Sequence, residues 1–251
     1  MRKYAHAFPI ILLSFASLSA CTSHQGETKT GLLSNLVANT DNEDKGIKEI
    51  IGFYGGRCDY GIEKKVYIGR DNETDFWIKF SQSAYLDSFA KSPELPGSNI
   101  AYLFYKNLDK EKDQYDQIRS ELVFSNGKKM IFVYKPLLLE KVKLKMQLVD
   151  KIVALIKNKN FDDIRNFIAV DTSLFNYNVD ELIVNLQQAE AQFGNASAFI
   201  PYGFKFFKSP NGKDILHISG LIVRDKQNNN FSVSLDPNIY QEKIYMLNYK
   251  L

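Results

Sequence analysis

An α+β protein in two modules is predicted, and three observations predict it. Runs with apolar residues at helical spacing come first in the C-terminal half and long β-rich runs follow, the order of an α+β unit with helices on one face of a sheet. Asn-Gly pairs at 126–127 and 211–212 sit between β-rich runs, which marks hairpins. The 251 residues are 45% hydrophobic and 13% aromatic, enough to fill a core and incompatible with a disordered or disulfide-dense chain. The modules are expected over 47–140 and 141–251, the second with its helices on a curved antiparallel sheet.

In the first module, Ile47-Lys48-Glu49-Ile50-Ile51 with Phe53 and Tyr54 predicts a short helix stopped by Gly55-Gly56. Lys65–Ile68 and Asp75–Phe80 read as strands. Ser83 is expected to start a helix carrying Tyr85, Leu86 and Phe89. Pro93 and Pro96 are expected to break the chain, and Ser98 to cap a helix bearing Ile100, Leu103, Phe104 and Leu108. Ile118–Phe124 and Met130–Tyr134 form the expected hairpin.

In the second module, Leu144, Leu148, Val149, Ile152, Val153 and Ile156 share one face of a helix ending near Asn158. Phe161, Ile164, Phe167 and Ile168 predict a short second helix. Asn178 is expected to cap a third, with Glu181 placed for a capping box and Gly194 as its stop. Strands follow at Phe199–Phe207, Ile215–Val223, Phe231–Leu235 and Lys243–Tyr249. The helical pair, the Asn178–Gly194 helix, the ladder of long strands and the terminal Lys243–Leu247 strand together resemble the cystatin-like α+β roll, the fold of nuclear transport factor 2 and ketosteroid isomerase. That resemblance covers about 110 residues as a pattern of elements, and the fold hosts enzymes and binding modules alike.

The N-terminus reads as an export signal. Arg2 and Lys3 precede the apolar stretch Ala7–Leu18, which is short for a membrane span of about 20 residues. It ends in Leu18-Ser19-Ala20-Cys21, which resembles the lipobox of bacterial lipoproteins. The resemblance implies cleavage before Cys21, diacylglycerol on its thiol and acylation of the new N-terminus; one chain alone would bind a membrane only marginally, and two or three hold a protein there stably. An ordinary signal peptide with an incidental cysteine, or a signal-anchor, is the plainer alternative; the small pair before Cys21 favours the lipobox. Thr22, where an Asp favours inner-membrane retention in diderm bacteria, points to the outer membrane. Residues 21–46 are polar and read as a lipidated flexible tether reaching about 25–30 Å on average, with a small apolar patch at Leu32–Val37. No later run is long and apolar enough to span, since Lys141, Lys143, Lys145 and Lys151 interrupt 136–156.

Without Arg2 and Lys3, Lys+Arg falls from 32 to 30 against 29 Asp+Glu, a net charge of +1. That near-neutral balance gives no ground for a nucleic-acid partner, which needs clustered cations. With Cys21 acylated, Cys58 is alone and no intramolecular disulfide is possible. Beside Arg57 it is either a reactive thiol or a small buried residue, and the second is preferred.

Signals for chemistry are sparse. G-x-S-x-G, H-E-x-x-H, P-loop and dinucleotide-binding patterns are missing. Asp71–Asp75 alternates carboxylates as a calcium loop does, but Phe76 stands where that loop needs Gly and Gln82 where it needs a bidentate Glu. Asp162-Asp163 reads as charge at a helix start. His217 lies mid-strand, either a polar cross-strand residue or a base facing a pocket. Tyr202, Phe204 and Phe206 alternate onto one strand face, with Phe207 opposite, and with His217 they form the candidate pocket. The reading is a lipid-anchored envelope protein, non-catalytic and without cofactor or metal, that binds a protein or small ligand at the periplasmic face of the outer membrane. A toxin-neutralising immunity lipoprotein is one form of it, identified by no residue here. The different-class alternative is an enzyme of the roll fold using a conical pocket with His217 as general base.

Overall fold

The computed structural model describes residues 39–69, 71–169 and 178–250. The signal segment, the Leu18–Cys21 tetrad and the Leu32–Val37 patch lie outside the described residues.

The chain is α+β, with two four-stranded sheets and five α-helices among the described residues. Helix α1 spans Asp41–Tyr54 and begins six residues before the expected start, inside the stretch read as tether. A reciprocal cap nucleates it: Thr40 Oγ1 accepts from the Glu43 amide at 3.3 Å, and the Thr40 amide donates to Glu43 Oε2 at 3.0 Å. Gly55 and Gly56, at φ 62° and 86°, end the helix and turn the chain into strand β1.

Strand β1 is Arg57–Lys65 and β2 is Glu73–Ser81. The expected strand at Lys65–Ile68 is therefore corrected: Lys65 closes β1, and Val66 and Ile68 stand exposed in the connection. Register decides this. Antiparallel pairing from Arg57↔Ser81 to Lys65↔Glu73 sets Cys58, Tyr60 and Ile62 opposite Phe80, Ile78 and Phe76, one apolar row facing inward. Cys58 is buried in that row, as preferred from sequence. The Asp71–Asp75 carboxylates do not converge: Asp75 is buried in β2 against Lys65 Nζ at 2.5 Å, and Asn72 accepts from the Tyr67 amide.

Short α2 (Ala84–Asp87) is capped by Ser83, whose hydroxyl also donates to the Tyr54 carbonyl. Helix α3 runs Glu94–Asn107, so Pro93 and Pro96 start this helix rather than break the chain before it. Pro96 falls in the first turn, where its missing N–H has no intrahelical partner to lose. Ser98 is thus not a cap. Inside the helix, its hydroxyl donates to the Leu95 carbonyl at 2.9 Å and accepts from the Phe204 amide at 2.8 Å. A 3₁₀ turn at Lys110–Gln114 leads to β3 (Gln117–Val123), then β4 (Lys129–Tyr134), the expected hairpin. The first sheet has order β1-β2-β3-β4, with β2 and β3 parallel and the outer pairs antiparallel; α2 and α3 supply the crossover that parallel pairing demands.

Helix α4 spans Pro136–Lys157, with Pro136 at its first position, and crosses residue 140, where the two modules were expected to divide. Its buried Lys145 donates to the Gln241 carbonyl at 2.5 Å; burial lowers the pKa of that ammonium, opposed by Asp236 and Glu242. A 3₁₀ turn covers Asp162–Phe167 in place of the expected second helix. Helix α5 is Val179–Phe193: Asn178 Oδ1 accepts from the Asp180 and Glu181 amides, and Gly194 at φ 84° ends it. Strands β5 (Ala196–Lys208), β6 (Asp214–Arg224), β7 (Asn229–Leu235) and β8 (Ile244–Lys250) form an antiparallel meander in chain order.

One buried cluster runs through both sheets, from Ile47 to Leu247. At its centre is α3, buried at every position from Pro96 to Tyr105, touching α1, α4, β3, β4 and β5. Its Phe104 ring stacks on Phe76 at 4.0 Å. Gly97 is so close to Phe132 that a Cβ would stand 2.3 Å from the ring.

Candidate ligand site

Alternation splits β6 and β7 into two faces. Leu216, Ile218, Ile222, Phe231, Val233 and Leu235 are buried in the common core. His217, Ser219, Ser232 and Ser234 project from the opposite face.

A break in β5 brings an aromatic to that second face. Pro201 pairs with Gly220 and Gly203 with Ser219, so Tyr202 is the extra residue of a β-bulge. A bulge re-aims one side chain and flips the parity beyond it. The four candidate pocket residues are therefore divided. Tyr202 and His217 line one cavity. Phe204 is buried in the core beside Tyr134, and Phe206 packs edge-on against Phe204 at the surface. The expectation that Tyr202, Phe204 and Phe206 share one face is corrected, because the bulge was not visible in the alternation of aromatics.

The cavity is an open cleft of about 420 Å³ between this outer face and the segment joining α2 to α3. Tyr202, His217, Ser219, Gly220, Asn230, Phe231, Ser232 and Asn248 line it from the sheet, and Ser92 and Leu95 from the α3 side. Its size falls within the range of small-ligand sites. Tyr202 is braced edge-on by Phe89 at 5.3 Å. Burial raises the pKa of its hydroxyl, with Tyr85 contributing, so it remains a donor at neutral pH. Ser92, Asn230 and Asn248 carried no sequence signal as site residues. Isolated polar residues in loops and strands look like ordinary surface, and only the meander of β6–β8 aligns them.

His217 sits with Nδ1 2.9 Å from Ser234 Oγ, and Phe207 packs edge-on to its ring at 6.4 Å. Burial pushes its pKa down to about 4, and Lys205, its cross-strand partner, adds to the effect. At neutral pH the ring is uncharged. The unfolded chain, with an ordinary histidine, binds the extra proton between about pH 6.5 and 4, so stability is full above that window and falls as pH drops through it. His217→Asn is expected to flatten this segment of the pH dependence by on the order of 2 kcal/mol, reduced from the full shift because the ring is partly solvated. Urea midpoints of the two proteins at about pH 7 and about pH 4.5 check it; equal falls in both would show that His217 is not responsible.

A second cleft of about 420 Å³ lies at the end of the first sheet, lined by Arg57, Asp59, Lys79 and Ser125 among others. Two of its charged groups pair with each other, Arg57 with Asp59 at 3.1 Å. No group of three or more His, Cys, Asp or Glu side chains is arranged to hold a metal ion among the described residues. No protein-family model, curated protein or solved structure matches the chain.

Proposed function

We propose that this chain is a cell-envelope lipoprotein, fixed by acyl chains on Cys21 and presenting a non-catalytic binding body to the periplasm from the outer membrane. The address rests on Leu18-Ser19-Ala20-Cys21 behind a basic start and a short apolar stretch. No helix among the described residues is long and apolar enough to cross a membrane. The binding reading is carried by the cleft over β5–β8, where polar side chains converge from three adjacent strands and from the α3 side. Helices α4 and α5 beside an antiparallel meander support a cystatin-like roll for the C-terminal half, a scaffold on which a binding site needs no conserved chemistry.

Metabolic labelling with palmitate tests the address. The wild-type chain is expected to take up label and, under globomycin, to accumulate as a larger precursor. Cys21→Ala is expected to abolish labelling. An unlabelled wild-type chain would remove the lipid anchor from this reading. Native mass spectrometry of the chain taken from envelopes tests the binding half: a retained mass that is lost in Tyr202→Ala is the expected result.

A further inference from the structure

We infer that the cleft over β5–β8 binds an uncharged, hydroxyl-rich ring, the chemistry of a neutral saccharide. The inference rests on the binding reading above and specifies its ligand. Six side chains carry it: Tyr202, His217, Ser219, Asn230, Ser232 and Asn248. Together they offer three hydroxyls, two carboxamides and an imidazole. No carboxylate, ammonium or guanidinium lines the cleft among the described residues.

These groups are available rather than structural. The hydroxyls of Tyr202, Ser219 and Ser232 and the amides of Asn230 and Asn248 have no hydrogen-bond partner within the protein among the described residues. Other polar side chains of this half do: Ser234 holds His217, Asn229 holds Arg224, and Asn195 holds Asp225. Register places the unpartnered groups in one patch, because Ser219 pairs with Ser232 and Ser232 with Asn248 on adjacent strands.

The lining discriminates by charge and polarity. An ionic ligand would lose water with no counter-charge to replace it. A wholly apolar ligand would strip water from hydroxyls and amides and leave them unpaired. A pyranose satisfies both constraints. Its hydroxyls both donate and accept, as the lining does, and its C–H face packs on an aromatic ring or an alkyl group, here Tyr202 and Leu95. The bulge at Tyr202 is what brings that ring to the polar face.

The test uses the full chain extracted from envelopes in a detergent without a sugar headgroup. Maltose, cellobiose, lactose and N,N′-diacetylchitobiose are titrated by saturation-transfer NMR and calorimetry, with glucose and glucose 6-phosphate as a charge pair. At least one disaccharide is expected to saturate below about 10 mM. Asn230→Ala and Ser232→Ala are each expected to weaken it about tenfold with unchanged thermal melts, and Tyr202→Ala to abolish the saturation-transfer signal. Glucose 6-phosphate is expected to bind no better than glucose. Failure of all four disaccharides, binding indifferent to the three variants, or tighter binding of the phosphorylated sugar each overturns the inference. A non-saccharide mass retained in native mass spectrometry by a chain that ignores the sugars overturns it too, while leaving the binding reading intact.

Discussion

Arg224→Met is expected to destabilise the protein by about 3–5 kcal/mol, because it leaves a buried carboxylate without its cation. The Arg224 side chain is wholly buried. Its Nε donates to Asn229 Oδ1 at 2.9 Å and one terminal nitrogen to Glu190 Oε2 at 2.7 Å. The guanidinium also donates to the Gly194 carbonyl and to the Tyr249 hydroxyl, and lies 5.6 Å from the centre of the Tyr249 ring. It thus joins the end of α5, the start of β7 and strand β8 in one network. Methionine matches the volume and removes every donor. Glu190 would keep only Lys159, whose Nζ is 3.6 Å from the other oxygen, an ionic contact too long for a hydrogen bond. Urea unfolding with an unchanged m-value would register the loss as stability. The double variant Arg224→Met/Glu190→Met is expected to lose less than the sum of the single losses, since it strands no charge. Additive losses would mean that the two groups do not act as a pair.

Gly203→Ala is expected to cost about 2–4 kcal/mol through a different mechanism, a collision between backbone and new methyl group. Gly203 has φ 144°, a conformation side chains disfavour. A Cβ there would stand 2.0 Å from the Leu95 carbonyl oxygen and 2.6 Å from Ser98 Oγ. The first obstacle is helix backbone, so the strand must move away from α3. The hydrogen bond from the Phe204 amide to Ser98 would be lost with that movement. The same displacement shifts Tyr202, the preceding residue, relative to Leu95 across the cleft. Gly212→Ala is the control: Gly212 also has positive φ, at 83°, but nothing lies within 4 Å of its Cβ position. Melting temperatures separate steric from conformational cost. A loss at Gly203 no larger than at Gly212 would show that the close approach of β5 to α3 is dispensable.

Local signals in the sequence were legible wherever one residue type has one structural use. Asn126-Gly127 and Asn211-Gly212 marked their hairpins, Ser83 and Asn178 their caps, and Gly194 a helix end. Misreadings arose where two uses compete. Pro93 and Pro96 suit either a break or a first helical turn, and the burial of α3 on all sides selects the second. Lys65–Ile68 is rich in β-formers, yet the strand ends at Lys65 because the row paired with β2 lies upstream. Thr40 and Glu43 formed a readable capping box, hidden by the polar composition of the region around it. The site was half legible. The sequence points to Tyr202 and His217, but its alternation groups Phe204 and Phe206 with them, because a bulge at Tyr202 leaves no trace in alternation. Ser219, Ser232 and Asn248 become neighbours only through strand register, which single residues do not encode.

Ser98 and the Phe204 amide it holds are 106 residues apart in sequence. Synthesis runs from the N-terminus, so α3 exists long before the strand that closes over it. Until β5 has been made, the leading half of the chain carries a greasy rod with one side uncovered. Such an intermediate is sticky, and a slow, late closure lengthens its exposure. For a chain built this way, the yield of folded protein is governed by how soon β5 follows α3.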